Sequence, residues 1–224
     1  MRGVRVALYY APAADDPLWA AGAAWLGRDA ATGASLPQPL AGLDALTAEP
    51  RRYSFHATLK PPTAVREGVT WDDLMLASRA IAASTPAFEL PRLAVANLHG
   101  FLALRETIPC PALQALADAC VAGTDHLRAP PDEAELARRH RAGLSSAENA
   151  ALLRWGYPYV FATWTFHMTL SRRLSAEEHD ILRPAANAWF AASLQQKRQV
   201  DHICLFLQRG QNDFELVERI PLTT

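Results

Sequence analysis

At 224 residues and a formal net charge of −1, the chain is long enough for one large domain or two small lobes around a sizeable core. Its 22 basic against 23 acidic residues exclude the broad basic footprint of a long-nucleic-acid binder, though not a local pocket for one small anion. Half the residues are hydrophobic and a fifth charged, as in a folded globular protein. Cys110, Cys120 and Cys204 are too few and too scattered for a disulfide framework or a thiolate metal site, and fit reduced thiols.

Residues 2–10 alternate Val4, Val6 and Leu8 on one face and read as a strand ended by Ala11 and Pro12. Residues 17–26 (PLWAAGAAWL) read as a short helix, and 30–50 as loop with a short helix near 43–46. A strand over 52–60 is stopped by Pro61 and Pro62. TWDD at 70–73 has capping-box character and opens a helix to about 84. Strands at 88–96 and 100–105 flank a turn. Helices follow at 111–121, closed by Gly123, at 131–141, closed by Gly143, and after the cap SSAE (145–148), closed by Gly156. A strand covers 159–171. SAEE (175–178) opens a helix that Pro184 is expected to kink or split, and 200–208 pairs with 214–220 in a hairpin. No apolar run approaches the ~18 residues of a membrane span, and the opening residues lack a signal-peptide layout. The cytoplasm is therefore the expected compartment.

The chain carries Phe-His-X-Thr-Leu twice, at 55–59 and 166–170. On a strand, side chains alternate faces. His56 and Thr58 then point one way and Phe55, Ala57 and Leu59 the other; His167 and Thr169 likewise oppose Phe166, Met168 and Leu170. His and Thr two residues apart are separated by on the order of 6.6 Å along a strand, room for a phosphate oxygen. Two such strands together would present two imidazoles and two hydroxyls, the set for phosphodiester cleavage. One neutral His takes a proton from the attacking water or hydroxyl, the other, protonated, donates to the leaving oxygen, and the threonines hold the non-bridging oxygens. An ordinary imidazole pKa of about 6.5 suits both roles, and neither metal nor cofactor is called for. One such tetrapeptide is more often structural than catalytic. Two copies on predicted strands about half a chain apart, each followed by basic residues, make a specific signal. Which His is the base stays open.

These motifs, together with YYAP (9–12), WLGRD (25–29), GFLALR (100–105), RAP (128–130), ARRH (137–140) and WGYPYV (155–160), resemble the 2H phosphoesterase superfamily, named for two H-x-[ST] motifs. Within it the chain is similar to a family of unknown function linked to phosphonate metabolism (DUF1045). Ser54 stands where that family suggests glycine. The resemblance implies an α+β fold in a single bilobal domain over 1–224. Two pseudo-symmetric antiparallel sheets are flanked by helices around a central cleft, with motif strands at about 52–60 and 159–171 and a helical insert over about 108–156. It implies metal-independent hydrolysis of a small cyclic or linear phosphodiester, a ribose cyclic phosphate being one candidate. The expected partner is a small phosphorylated substrate, with no membrane and no long nucleic acid; the oligomeric state is left open. The alternatives are a non-catalytic nucleotide- or phosphonate-binding module, and a 2′,3′-cyclic phosphodiesterase acting on RNA ends.

Further binding candidates carry their own alternatives. Lys60 shares the parity of His56 and Thr58 and would meet phosphate as a point charge, or sit solvated at the strand end. Tyr53 has opposite parity, at an end where strands bend. Arg138 and Arg139 lie about 100° apart on a helix, so at most one is expected to face a given ligand, and both also fit a solvated face. Tyr157 would line the pocket or pack the insert. Arg105 closes its strand within reach of a phosphate. The remaining histidines lack metal-ligand spacing, and no metal site is assigned.

Overall fold

The computed structural model describes residues 3–141 and 143–224. Arg2, read as the first residue of the opening strand, lies outside them. The strands are β1 (Val4–Tyr10), β2 (Ala57–Ala64), β3 (Phe88–Leu90), β4 (Leu93–Leu98), β5 (Phe101–Glu106), β6 (Met168–Arg173), β7 (Arg198–Val200), β8 (His202–Arg209) and β9 (Glu215–Pro221). The helices are α1 (Pro17–Leu26), α2 (Leu43–Arg51), α3 (Trp71–Ala83), α4 (Pro111–Thr124), α5 (Glu133–His140), α6 (Ser146–Trp155) and α7 (Ala176–Leu194).

Local chemistry sets the helix ends. Asp16 accepts from Leu18 N and Pro17 opens α1, which Gly27 closes in the left-handed region at φ 80°. Capping boxes begin α3 (Thr70 with Asp73), α6 (Ser145 with Glu148) and α7 (Ser175 with Glu178). Two expected stops are passed. Gly123 lies inside α4, because Ile81 of α3 approaches within 3.0 Å of where its Cβ would be; the glycine permits close packing rather than ending the helix. Pro184 sits within one continuous α7. Its missing N–H removes one ladder bond, while Leu182, Ala186 and Phe190 are all buried in the core, and such packing outweighs local propensity.

Seven strands form one antiparallel sheet in the order β4-β5-β6-β2-β1-β8-β9, and β3 with β7 make a separate ribbon. The α+β architecture that the family resemblance implied is present, but the two expected sheets are joined edge to edge into one. β4-β5-β6 meets β2-β1-β8-β9 at a single register pair, Ala57 with Met168, and α4, α5 and α6 form the insert between β5 and β6. Both motif strands start later than expected. α2 runs to Arg51, so a turn leads to β2; a 3₁₀ turn at Phe161–Thr163 precedes β6. β2 also continues through Pro61 and Pro62. Register shifts in its pairing with β1, either side of Leu8, mark bulges, where a proline's lack of a donor is tolerated.

Helices α1, α2, α3, α4 and α7 bury side chains against one face of the sheet. There Phe55, Ala57, Leu59, Phe166, Met168 and Leu170 join Trp25, Leu116 and Phe190 in the main core, the six motif residues each at most 1% exposed. A smaller cluster of Tyr9, Trp19, Phe206 and Phe214 lies on the opposite face, at the β1–β8 end. A Cβ on Gly22 of α1 would stand 2.1 Å from Phe55 Cδ1. Gly22→Ala is therefore expected to cost about 1–3 kcal/mol through overpacking, read as a lower urea midpoint; an unchanged midpoint would mean that the α1–Phe55 contact is looser than described.

Candidate active site

The antiparallel pair Ala57–Met168 sets the geometry of both motifs. Continued one residue each way, it places Thr58 across from His167 and His56 across from Thr169, all on the face opposite the core. Directly opposed residues in such a pair are roughly 4.5–5.5 Å apart and diagonal ones about 7–8 Å. The imidazoles occupy one diagonal and the hydroxyls the other, and all four residues are half-buried.

Each imidazole is anchored by the same device. His56 Nδ1 donates to Ser54 O at 2.9 Å, and His167 Nδ1 donates to Thr165 O at 2.9 Å. A carbonyl only accepts, so in the neutral rings Nδ1 carries the proton and Nε2 the lone pair. Thr58 Oγ1 lies 3.2 Å from His56 Nε2 and donates to it. Ser54 adopts φ 70°, the left-handed region that favours glycine, which accounts for the glycine expected there. Its hydroxyl accepts from Arg28 Nη1 at 2.9 Å and donates to Phe214 O at 3.3 Å.

Beyond the single pair, indoles replace the ladder. Trp164 Nε1 donates to Thr58 O at 2.8 Å, and Trp25 Nε1 donates to Leu170 O at 2.8 Å. Each satisfies a motif-strand carbonyl at the seam. Sequence reasoning missed both; Trp25 stands in WLGRD and Trp164 three residues before His167.

A cleft of about 620 Å³ opens over this face, lined by His56, Thr58, Thr169, Tyr53, Tyr157, Arg138 and Arg139. His167 lies beside Phe101, another lining residue, with ring centroids 5.8 Å apart. Arg138 and Arg139 both reach the cleft, where only one was expected. Each guanidinium comes within 3.5 Å of Glu135, so the length of the side chains absorbs their angular offset. Arg139 also lies over the Tyr157 ring at 4.6 Å, and Tyr53 stacks on Phe214 at 5.4 Å. Lys60 corrects the parity argument. The bulges turn it out of the cleft into the interior, where Nζ donates to Thr124 Oγ1 at 2.6 Å, and burial pushes its ammonium down to about 8. Arg105 does not line the cleft; the pair Leu104–Met168, continued by one residue, places it across from His167. Cleft residues that the sequence did not single out are Tyr9, Arg5, Glu49 and Arg173, together with Arg172, which Glu178 holds by two bonds of 3.0 and 2.8 Å.

A sequence model of the family described as "Protein of unknown function (DUF1045)" matches residues 58–215. The chain belongs to this family. It is 42% identical over 199 residues to "Ribose 1,5-bisphosphate phosphokinase PhnN" of Janthinobacterium sp. (strain Marseille), covering 85% of this chain and 44% of the relative. It is 36% identical over 208 residues to the protein of the same name from Laribacter hongkongensis (strain HLHK9), covering 92% and 48%. The DUF1045 chain thus spans less than half the length of these relatives. Among solved structures, E. coli LigT complexed with 3′-AMP is similar over 100% of both chains at 17% identity with a TM-score of 0.47. LigT complexed with NADP+ is similar over 100% of both at 16% identity with a TM-score of 0.48. Among the described residues, no helix is long and apolar enough to cross a membrane.

The electrostatics of the DUF1045 cleft favour neutral imidazoles in the free protein. Burial pushes His56 down to about 4; the Ser54 carbonyl opposes this, and His167 adds to it. His167 is lowered as well, first by burial, then by Arg105 and His99, against the Thr165 carbonyl. Both shifts follow from removing a cation from water beside other cations.

Proposed function

We propose that this DUF1045 chain is a phosphodiesterase of the two-histidine type, acting on a small cyclic or linear phosphodiester without calling on a metal. The observation that carries the proposal is the Ala57–Met168 register, which sets two His–Thr pairs crosswise on the face opposite the core. With Nδ1–H of each ring tied to a carbonyl, both Nε2 atoms are left for proton transfer. One neutral imidazole takes the proton of an attacking water as its oxygen bonds to phosphorus. The other, as imidazolium, protonates the leaving oxygen as the old phosphorus–oxygen bond breaks. Thr58 and Thr169 donate to the non-bridging oxygens as charge builds there. His56, the ring held down to about 4, suits the neutral role. His167 then serves as the acid, and a bound phosphoryl anion raises its affinity for a proton. Arg138, Arg139, Tyr53 and Tyr157 supply the substrate-binding wall.

The relatives' name concerns a ribose bisphosphate, so a ribose cyclic phosphate is the substrate to try first. Incubation with ribose cyclic phosphates in EDTA, followed by ³¹P NMR, tests the assignment. Conversion to phosphomonoester is expected. Tight binding with no turnover of any phosphodiester would instead support a non-catalytic binding module, a reading favoured by one observation: the relatives extend well beyond the matched segment.

Two further outcomes are expected. Thr58→Val keeps the side-chain shape but removes the hydroxyl beside His56 Nε2, and should lower kcat on the order of 10²-fold with little change in thermal midpoint; equal losses of both would make Thr58 a structural residue. The profile of kcat/KM against pH should be a bell centred on the acid side of 6.5, because both imidazoles are lowered. The same shift has a stability sign. Between pH 6.5 and 4 the unfolded chain binds protons that folded His56 refuses, so stability is full above 6.5 and declines as pH falls through that window. Urea midpoints at pH 7 and 4.5 check the direction.

A further inference from the structure

Resting on the two-histidine reading, we propose that the Tyr9 hydroxyl is a substrate-binding donor that takes a phosphoryl oxygen of the ligand, while the Tyr9 ring holds His56 in place. Tyr9 lies on β1 and pairs with Thr58 in register. Its ring stacks on the His56 imidazole, centroids 3.6 Å apart and planes 20° apart, and is backed by Phe206 at 4.9 Å. The imidazole therefore has a flat, rigid support on one side and the cleft on the other. Tyr9 itself is 0% exposed yet forms part of the cleft wall, and its hydroxyl has no hydrogen-bond partner among the described residues. Buried hydroxyls in folded proteins are ordinarily paired, and an unpaired one is destabilising.

The surroundings of the hydroxyl belong to the same cleft wall. Ionisation of Tyr9 is opposed first by burial, then by Tyr53 and Tyr157, and favoured by Arg5; all three of those residues line the same cleft. The phenol stays protonated well above its ordinary range, so it is a neutral donor wherever the imidazoles work. An unpartnered donor in the cleft wall, on a ring stacked against His56, suits an acceptor on the group that His56 acts upon, namely a phosphoryl oxygen. The wall residues Arg5, Arg138 and Arg139 add charge, which attracts an anion without fixing its orientation. A single neutral hydroxyl adds direction, since it rewards one placement of one oxygen.

Tyr9→Phe separates the two roles, because it keeps the ring and removes only the oxygen. The probes are inorganic phosphate, titrated while the imidazole C–H resonances of His56 and His167 are followed by NMR, and adenosine 2′,3′-cyclic phosphate for turnover. Tyr9→Phe is expected to weaken phosphate binding and to lower kcat/KM roughly 10- to 100-fold. Its thermal midpoint should be unchanged or higher, since no bond is lost in the free protein, and the His56 titration should stay where it is, since the stack remains. Phosphate affinity and kcat/KM equal to wild type would overturn the assignment, and so would a wild-type protein that binds no phosphate. If wild type binds phosphate but cleaves no phosphodiester, the enzyme reading fails alone, and the affinity difference still decides the role of Tyr9.

Discussion

Replacing His56 or His167 with alanine is expected to lower kcat roughly 10²–10⁴-fold, the range for losing a general acid or base. Both rings are half-buried, sit on the face opposite the main core, and are bonded only to residues two positions away, His56 to Ser54 O and Thr58 Oγ1 and His167 to Thr165 O. Folding should therefore change little. For His56 the loss of stacking on Tyr9 is offset by removing a polar group from a desolvated site. The double variant should be little worse than either single one, because groups that act as one proton-transfer unit are not additive. Steady-state kinetics on a ribose cyclic phosphate, with thermal midpoints alongside, give the answer. Full activity in either single variant sinks the paired scheme, and a collapse of the midpoint would make the loss of rate a folding effect.

The largest stability effect is expected at a pair that does not line the cleft. The Arg198 side chain is 6% exposed. Its Nε donates to Asp16 Oδ2 at 2.7 Å and its Nη2 to Asp16 Oδ1 at 3.0 Å, while the carbonyls of Gln196 and Ser193 take other protons of the guanidinium. Asp16 also caps α1 by accepting from Leu18 N at 2.8 Å. Asp16→Ala leaves a buried guanidinium without its counter-ion, a change worth about 3–5 kcal/mol, with loss of the cap adding about 1 kcal/mol. The second change Arg198→Met should recover much of the loss, because the cost lies in the orphaned charge rather than in the absence of the pair. Urea unfolding of both variants measures this. A loss below about 1 kcal/mol, as for an exposed pair, would mean that water reaches Arg198. Activity per folded molecule should remain near wild type.

How far the sequence could be read depended on the range of the forces involved. The face on which each motif residue lies follows from two-residue alternation, and Phe55, Ala57 and Leu59 are buried opposite His56 and Thr58 as that alternation requires. Caps and turn chemistry are equally local, so α1, α3 and α6 begin where Asp16, Thr70 and Ser145 put them. The failures are non-local. Parity along 52–60 sent Lys60 toward the cleft, but a bulge against β1 is decided by a partner strand about 50 residues earlier, and one inserted residue reverses every side chain beyond it. Gly123 and Pro184 carried ordinary stop signals that tertiary packing overrode. Tyr9 looked like one more residue of an opening strand, because nothing in its neighbours announces the imidazole that stacks on it. The tryptophans of the seam carried no readable signal either, since an indole N–H finds its carbonyl only after the chain has folded.

That seam has a mechanical consequence. Where a full ladder joins two strands, their spacing is dictated by covalent and hydrogen-bond lengths and tolerates almost any side chain. Here one backbone pair and two indole clasps hold the halves together, and the rest of the separation is propped by Phe55, Phe166 and their neighbours beneath. The separation of the His56 and His167 rings is thus tuned by the volume of buried hydrocarbon. A methylene trimmed from the interior is therefore expected to shift the spacing of His56 and His167.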